Sequence, residues 1–116
     1  MSHNQFQFIG NLTRDTEVVH SDSGSQRAVF DIAVNRAWRN NAGEKQERTD
    51  FFRIKTFGAN CEAHRKYLGK GSKVFVQGRI ENTKYEKDGK TEYGTDFIAE
   101  EIEYLDTKAP GASNQE

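Results

Sequence analysis

Phe51-Phe52-Arg53-Ile54-Lys55-Thr56-Phe57 divides into two faces when read with the two-residue period of a β-strand. Phe52 and Ile54 make one face, apolar and suited to a core. Phe51, Arg53, Lys55 and Phe57 make the other, which runs aromatic, basic, basic, aromatic. A core face does not accept two charges between two rings, and a merely solvated face has no need of the rings. Flat π-surfaces beside cations suit a partner made of bases and phosphates, which describes single-stranded nucleic acid. The plainer reading is an edge strand with two rings under a loop and two surface cations.

Outward from this segment the chain reads as strands with one helix. Arg27 to Trp38 forms a long strand with Ala28, Phe30, Ile32 and Val34 on its core face, while Asp31 and Asn35 face out. Asn40-Asn41-Ala42-Gly43-Glu44-Lys45 is a polar hairpin loop, and the next strand runs from about Arg48 to Phe57. Earlier, Gln5 to Ile9 is a short strand with Phe6 and Phe8 on one face. Gly10-Asn11 breaks it, Glu17 to His20 extends again, and Asp22-Ser23-Gly24-Ser25 turns the chain. Later, Asn60 is placed to cap a helix over Cys61 to Leu68, with Gly69 where a left-handed C-cap is wanted. Gly71 opens the fourth strand, whose buried face is Val74, Val76 and Ile80, with Gly78 as a bulge or barrel bend. Asp88-Gly89 marks a second hairpin tip, and the fifth strand covers Thr91 to Leu105. Five strands with one short helix between the third and fourth is the order of an all-β OB-fold barrel. Residues 1–106 are read as that domain and residues 107–116, which hold the only proline, Pro110, as a short disordered tail.

Composition limits the alternatives. A chain of 116 residues with 34% hydrophobic and 30% charged residues has room for one modest core and too many aromatics to be disordered. No apolar run approaches the ~20 residues that cross a bilayer, and Met1-Ser2-His3-Asn4 opens no secretory signal. The lone Cys61 excludes an internal disulfide and fits a reducing cytoplasm. The net charge of −1 averages two unlike parts. Residues 1–99 hold 16 Lys and Arg against 13 Asp and Glu, whereas residues 100–116 hold Lys108 against five acids. The body is therefore mildly basic, and a nucleic-acid partner has to be held by stacking as well as by phosphate neutralisation.

Four rings fall where an OB barrel presents a binding surface: Trp38 before the first long loop, Phe51 and Phe57 on the third strand, and Tyr85 before the Asp88-Gly89 tip. Stacking on such rings is worth about 1–3 kcal/mol per base and tolerates any sequence. The cations expected to meet phosphates are Arg36, Arg39, Lys45, Arg48, Arg53, Lys55, Arg79, Lys84 and Lys87, with Lys90 beside them. Phe6, Phe8, Phe30, Phe52 and Phe97 read as core or subunit interface. Tyr67 and Leu68 read as a plug for the barrel bottom, and Tyr93 and Tyr104 are ambiguous. Phe75, on the face of Gln77 and Arg79, is placed to mark a subunit contact. Catalysis finds no foothold. Cys61 and His64 have the spacing of half a metal site with no second pair, so a satisfied surface histidine and a helix cysteine are expected, with no metal and no cofactor. Gly69-Lys70-Gly71-Ser72 lacks the spacing of a phosphate loop.

The chain resembles the bacterial single-stranded DNA-binding protein family. The resemblance rests on Phe8-Ile9-Gly10-Asn11-Leu12 followed by Asp15 and Glu17-Val18, on Trp38-Arg39 leading to Gly43-Glu44, and on Phe51-Phe52-Arg53-Ile54 through Phe57-Gly58. It continues in Tyr67-Leu68, Lys70-Gly71-Ser72-Lys73-Val74 and Gln77-Gly78, and in Asp88 to Thr95. It implies an OB-fold that assembles, usually as a homotetramer, and wraps single-stranded DNA during replication, recombination and repair in the bacterial cytoplasm and nucleoid. The family's stacking aromatics fall on Trp38, Phe51, Phe57 and Tyr85. Well-known members carry tryptophan at the positions of Phe51 and Tyr85, so weaker stacking is expected there. The family usually ends in an acidic tip with a terminal Pro-Phe that recruits replication and repair proteins, whereas this sequence ends at Gln115-Glu116. Recruitment through such a tip is therefore not expected of these residues. A copy carried by a plasmid, phage or integrative element and a trimmed core both fit that ending. A primosome-type accessory OB protein, which would be a dimer, and an OB module whose aromatic face binds a polypeptide are the competing readings. DNA over RNA rests on the resemblance alone.

Overall fold

The computed structural model describes residues 2–111. Six strands and one helix follow in the order β1 (Phe6–Leu12), β2 (Glu17–His20), β3 (Gln26–Arg39), β4 (Lys45–Phe57), α1 (Cys61–Tyr67), β5 (Lys73–Lys87) and β6 (Lys90–Asp106). The sheet runs β1-β5-β6-β4-β3-β2, and β1 also pairs with β3, which closes a five-stranded barrel. The OB-fold is thus present, with α1 between the third and fourth barrel strands. β1 and β2 are two pieces of one barrel strand laid along β3. Leu12 sits opposite Ile32 and Glu17 opposite Val29, so Thr13 to Thr16 fold over a step of β3 that holds only Phe30 and Asp31. Closure leaves the central strands without open edges.

Alternation decides what fills the barrel. Ala28, Phe30 and Ile32 of β3 and Ile54 of β4 are fully buried. They pack with Phe6, Leu12, Leu68, Val74, Val76 and Ala99. At one end the filling is aromatic: Phe8 stacks on Phe52 at 4.2 Å, and Phe97 meets Phe6, Phe8 and Phe52 edge-on. Each such pair adds about 0.5–1.5 kcal/mol beyond its area. Gly78 faces a register shift at which β6 carries one extra residue, Glu100. A Cβ on Gly78 would collide with the Ile98 carbonyl, so only glycine lets the two backbones approach.

Several local expectations are corrected. Asn60 stands at the N-cap position, but its side chain makes no capping hydrogen bond. The helix ends at Tyr67, and the left-handed residue after it is Gly71 (φ 93°), not Gly69. Gly69 is needed for space, since a Cβ there would meet the backbone of Pro110 at 2.6 Å. Leu68 is buried as a plug, whereas Tyr67 is half exposed with the Lys66 ammonium over its ring. Ile80 is 36% exposed because β5 leaves the barrel there. After β6, the Lys108 carbonyl accepts from Gly69 N–H (2.8 Å) and Ser72 Oγ (3.1 Å), and the Lys108 N–H donates to Ser72 Oγ (2.9 Å). Residues 112–116 of the expected tail lie outside the described residues.

Two long hairpins extend past the barrel wall. β3 and β4 pair without interruption from Arg27↔Phe57 to Arg39↔Lys45, so β4 begins three residues before the expected Arg48. β5 and β6 pair out to Lys87↔Lys90 around Asp88 (φ 54°) and Gly89 (φ 75°), the positive-φ pair of a two-residue turn whose twist matches its strands. β4 and β6 run parallel where Ile54 meets Phe97. Both hairpins therefore leave the barrel at the same end.

Candidate nucleic-acid interface

On β4 the outward residues Phe51 and Phe57 are 69% and 56% exposed, while Phe52, Ile54 and Thr56 between them face the core or its margin. Tyr85 is also exposed and lies on the outward face of β5, four pairs beyond Glu81. Trp38 behaves differently. Directly paired residues share a face; Ala33 is opposite Phe51 and Trp38 opposite Gln46, so Trp38 continues the inward row of Phe30, Ile32 and Val34. It is exposed because the hairpin has passed the end of the core. The four rings thus lie on both faces of the two hairpin ladders rather than on one surface, with Phe57 at the barrel end of its ladder, opposite Arg27.

The cations separate into two groups. Arg53 lies directly across from Asp31 and donates to both its oxygens at 3.0 and 3.4 Å, and Arg14 Nε approaches the same carboxylate at 3.3 Å. This hydrogen bond, with the charge behind it, pushes the Arg53 pKa up. Lys55 Nζ meets Asp96 at 3.1 Å. Arg79 is held by Glu81 (2.7 Å) and Glu100 (3.2 Å), which raises its pKa in the same way. Lys45 pairs with Glu47 and Arg48 with Asp50. Among the described residues, Arg36, Arg39, Lys84 and Lys87 have no carboxylate within ion-pair distance, and all four are on the hairpins. Arg36 lies over the Trp38 ring at 4.8 Å, and Arg39 Nη1 donates to the Gly43 carbonyl in the loop. Pairs exposed on both sides, such as Lys45–Glu47, contribute little to stability, so a phosphate can displace the carboxylate, whereas Lys55–Asp96 is partly buried. A phosphate meets the unpaired cations with no competitor.

Arg36 is directly opposite Arg48. Like charges facing across a ladder are destabilising, and an anion between them relieves that repulsion. Arg27, exposed and directly opposite Phe57, is a cation the sequence reading missed. The hairpin register would have found it, because the residues paired across this hairpin keep one unbroken order. Phe57 also borders an open cleft of about 500 Å³ with Asn60, His64, Arg79 and Glu101.

Near that cleft His64 is buried, not on the surface as expected, and its Nδ1 is 2.7 Å from the Tyr104 hydroxyl. Burial lowers the His64 pKa and raises those of Tyr104 and Cys61. The Cys61 thiol is enclosed and donates to the Thr56 carbonyl at 3.7 Å, an inert arrangement. No three His, Cys, Asp or Glu side chains are grouped as a metal would require among the described residues.

Residues 3–105 match the model of the single-strand binding protein family. The chain is 39% identical over 114 residues to single-stranded DNA-binding protein 1 of Staphylococcus aureus, covering 97% of this chain and 72% of that protein. It is 34% identical over 113 residues to the single-stranded DNA-binding protein of Helicobacter hepaticus, covering 97% and 66%. Among solved structures, a Plasmodium falciparum single-strand binding protein in complex with single-stranded DNA superposes with a TM-score of 0.82 at 28% identity, covering 91% of this chain and 97% of that one. Wild-type single-stranded DNA-binding protein of Thermus aquaticus superposes at 0.80 with 29% identity, over 90% of this chain and 50% of that one.

Proposed function

Because the chain belongs to the single-strand binding protein family, we propose that it binds single-stranded DNA without sequence preference and protects it during replication, recombination and repair. It is a binding protein and not an enzyme. One observation carries the mechanism: exposed rings and unpaired cations share two hairpins that leave the same end of the barrel. Trp38, Phe51, Phe57 and Tyr85 stack bases. Arg36, Arg39, Lys84 and Lys87 take phosphates directly, and Lys45, Arg48, Arg53, Lys55 and Arg79 do so by exchanging a carboxylate. Every base has a π-face, so stacking reads no sequence. Duplex DNA keeps its bases stacked on one another and offers these rings nothing.

The active form in this reading is a homo-oligomer, with a tetramer favoured, in the bacterial cytoplasm. Its support is one apolar pair on the outward face of β1 and β5, where exposed Ile9 is directly opposite the half-buried Phe75, between the polar pairs Gln7–Gln77 and Asn11–Lys73. A long strand then passes from one copy to the next.

The test is Trp38 fluorescence during titration with oligo-dT of increasing length, at low and high salt. Quenching that saturates at a long site, with affinity falling in salt, is the expected result. Absence of quenching at low salt would remove Trp38 from the interface and favour a polypeptide partner for the aromatic face.

A further inference from the structure

Tyr93 is 75% exposed, the largest exposure of any large apolar or aromatic side chain among the described residues. It has no place in the ring set above. Its position in the β5–β6 ladder gives it a definite environment. Pairing runs from Ile80↔Phe97 through Asn82↔Thr95 and Lys84↔Tyr93, so Tyr93 lies on the inward face of the hairpin. Tyr85 lies on the outward face, opposite Glu92. The two faces carry different charge. Outward, Glu81, Asp96 and Glu92 stand against Lys87 and Lys90 at the tip; inward, the only carboxylate is Glu86, and the direct partner of Tyr93 is the unpaired Lys84.

The same arrangement appears on the other hairpin. Trp38 is on the inward face of β3–β4 with the Arg36 guanidinium beside it. Both hairpins leave the barrel at one end, so each presents a ring and a cation on the face that continues the core lining.

We infer that Tyr93 is a further base-stacking platform, with Lys84 as its phosphate contact, and that the single strand therefore engages both faces of the β5–β6 hairpin. This rests on the reading of the chain as a single-stranded DNA binder. The chemistry is that of the other rings. A base lies on the phenol face, and the adjoining phosphate displaces counterions as it meets an ammonium that no carboxylate neutralises. Tyr85 has Glu92 opposite and Lys87 two residues along its face, while Tyr93 has Lys84 directly opposite and Glu86 two pairs along, so the cation lies closer to Tyr93 in the ladder.

The experiment uses the full chain with Trp38 intact, titrated with oligo-dT and followed by quenching. Tyr93→Ala is expected to lower affinity by roughly 5- to 100-fold, and Tyr93→Phe to retain it, because the ring and not the hydroxyl stacks. Lys84→Gln is expected to make the slope of log K against log salt shallower by about 0.7, the loss of one phosphate contact. Unchanged affinity in Tyr93→Ala, alongside weakened binding in Phe57→Ala, would overturn the inference and leave the proposed function standing. A parent protein that fails to bind oligo-dT at low salt would remove the function itself. Light scattering on Tyr93→Ala closes the remaining route: a smaller particle would make the ring a contact between copies and would likewise overturn the inference.

Discussion

Trp38 and Phe57 are exposed on opposite faces of one ribbon, so neither substitutes for the other. Trp38→Ala and Phe57→Ala are each expected to cost about 1–3 kcal/mol of affinity for oligo-dT. Anisotropy of a labelled oligonucleotide reads this without the tryptophan, and an unchanged Kd in both variants would end the stacking mechanism. The buried His64 yields a prediction of another kind. Burial holds its imidazole below the ordinary value of 6.5. The unfolded chain therefore takes up a proton before the folded one does as pH falls. The stability this group contributes is complete above about pH 6.5 and is lost as pH drops through the lowered value. Thermal unfolding of the parent at pH 7.5, 6.5 and 5.5 should show that decline, and His64→Gln should flatten it. Equal slopes for the two proteins would assign the decline to other groups.

At the scale of elements, the hairpins were readable and their partners were not. Asp88-Gly89 is a two-residue turn signal with a known geometry, and the structure places it at a hairpin tip. The alternation of Phe51 to Phe57 is equally local, since successive side chains of a strand point to opposite sides whatever surrounds them. What escaped was register. Arg27 joins Phe57, and Lys84 joins Tyr93, only once two strands are aligned. Gly78 shows how one residue can set such an alignment. It permits the close approach at which β6 carries its extra residue, Glu100. Gly78→Ala should destabilise the fold by about 1–3 kcal/mol through forced displacement of β6, measured by urea unfolding. A variant as stable as the parent would mean that β6 shifts freely.

The whole molecule joins the barrel to its assembly. Closure through β1 and β3 holds the hairpins at one end and leaves the Ile9–Phe75 pair on the outer wall, with Ile9 exposed. If copies meet there, Phe75→Arg should lower the particle mass in light scattering while the isolated fold persists in circular dichroism. A mass equal to the parent's would place the contact elsewhere. The sequence alone determined the faces of β3 and β4, the helix position, the turn at Asp88-Gly89 and the exposure of Trp38, Phe51, Phe57 and Tyr85, but not that of Tyr67 or Tyr93. Each of these follows from backbone geometry acting over a few residues. Tertiary structure decided which carboxylates quench which cations, as in Lys55 with Asp96, 41 residues apart. It decided that Gly69 is required by the approach of Pro110, and that Trp38 and Tyr93 share the inward faces while Phe51 and Tyr85 look out. Those facts depend on contacts through space, which chain closure creates and local patterning does not encode.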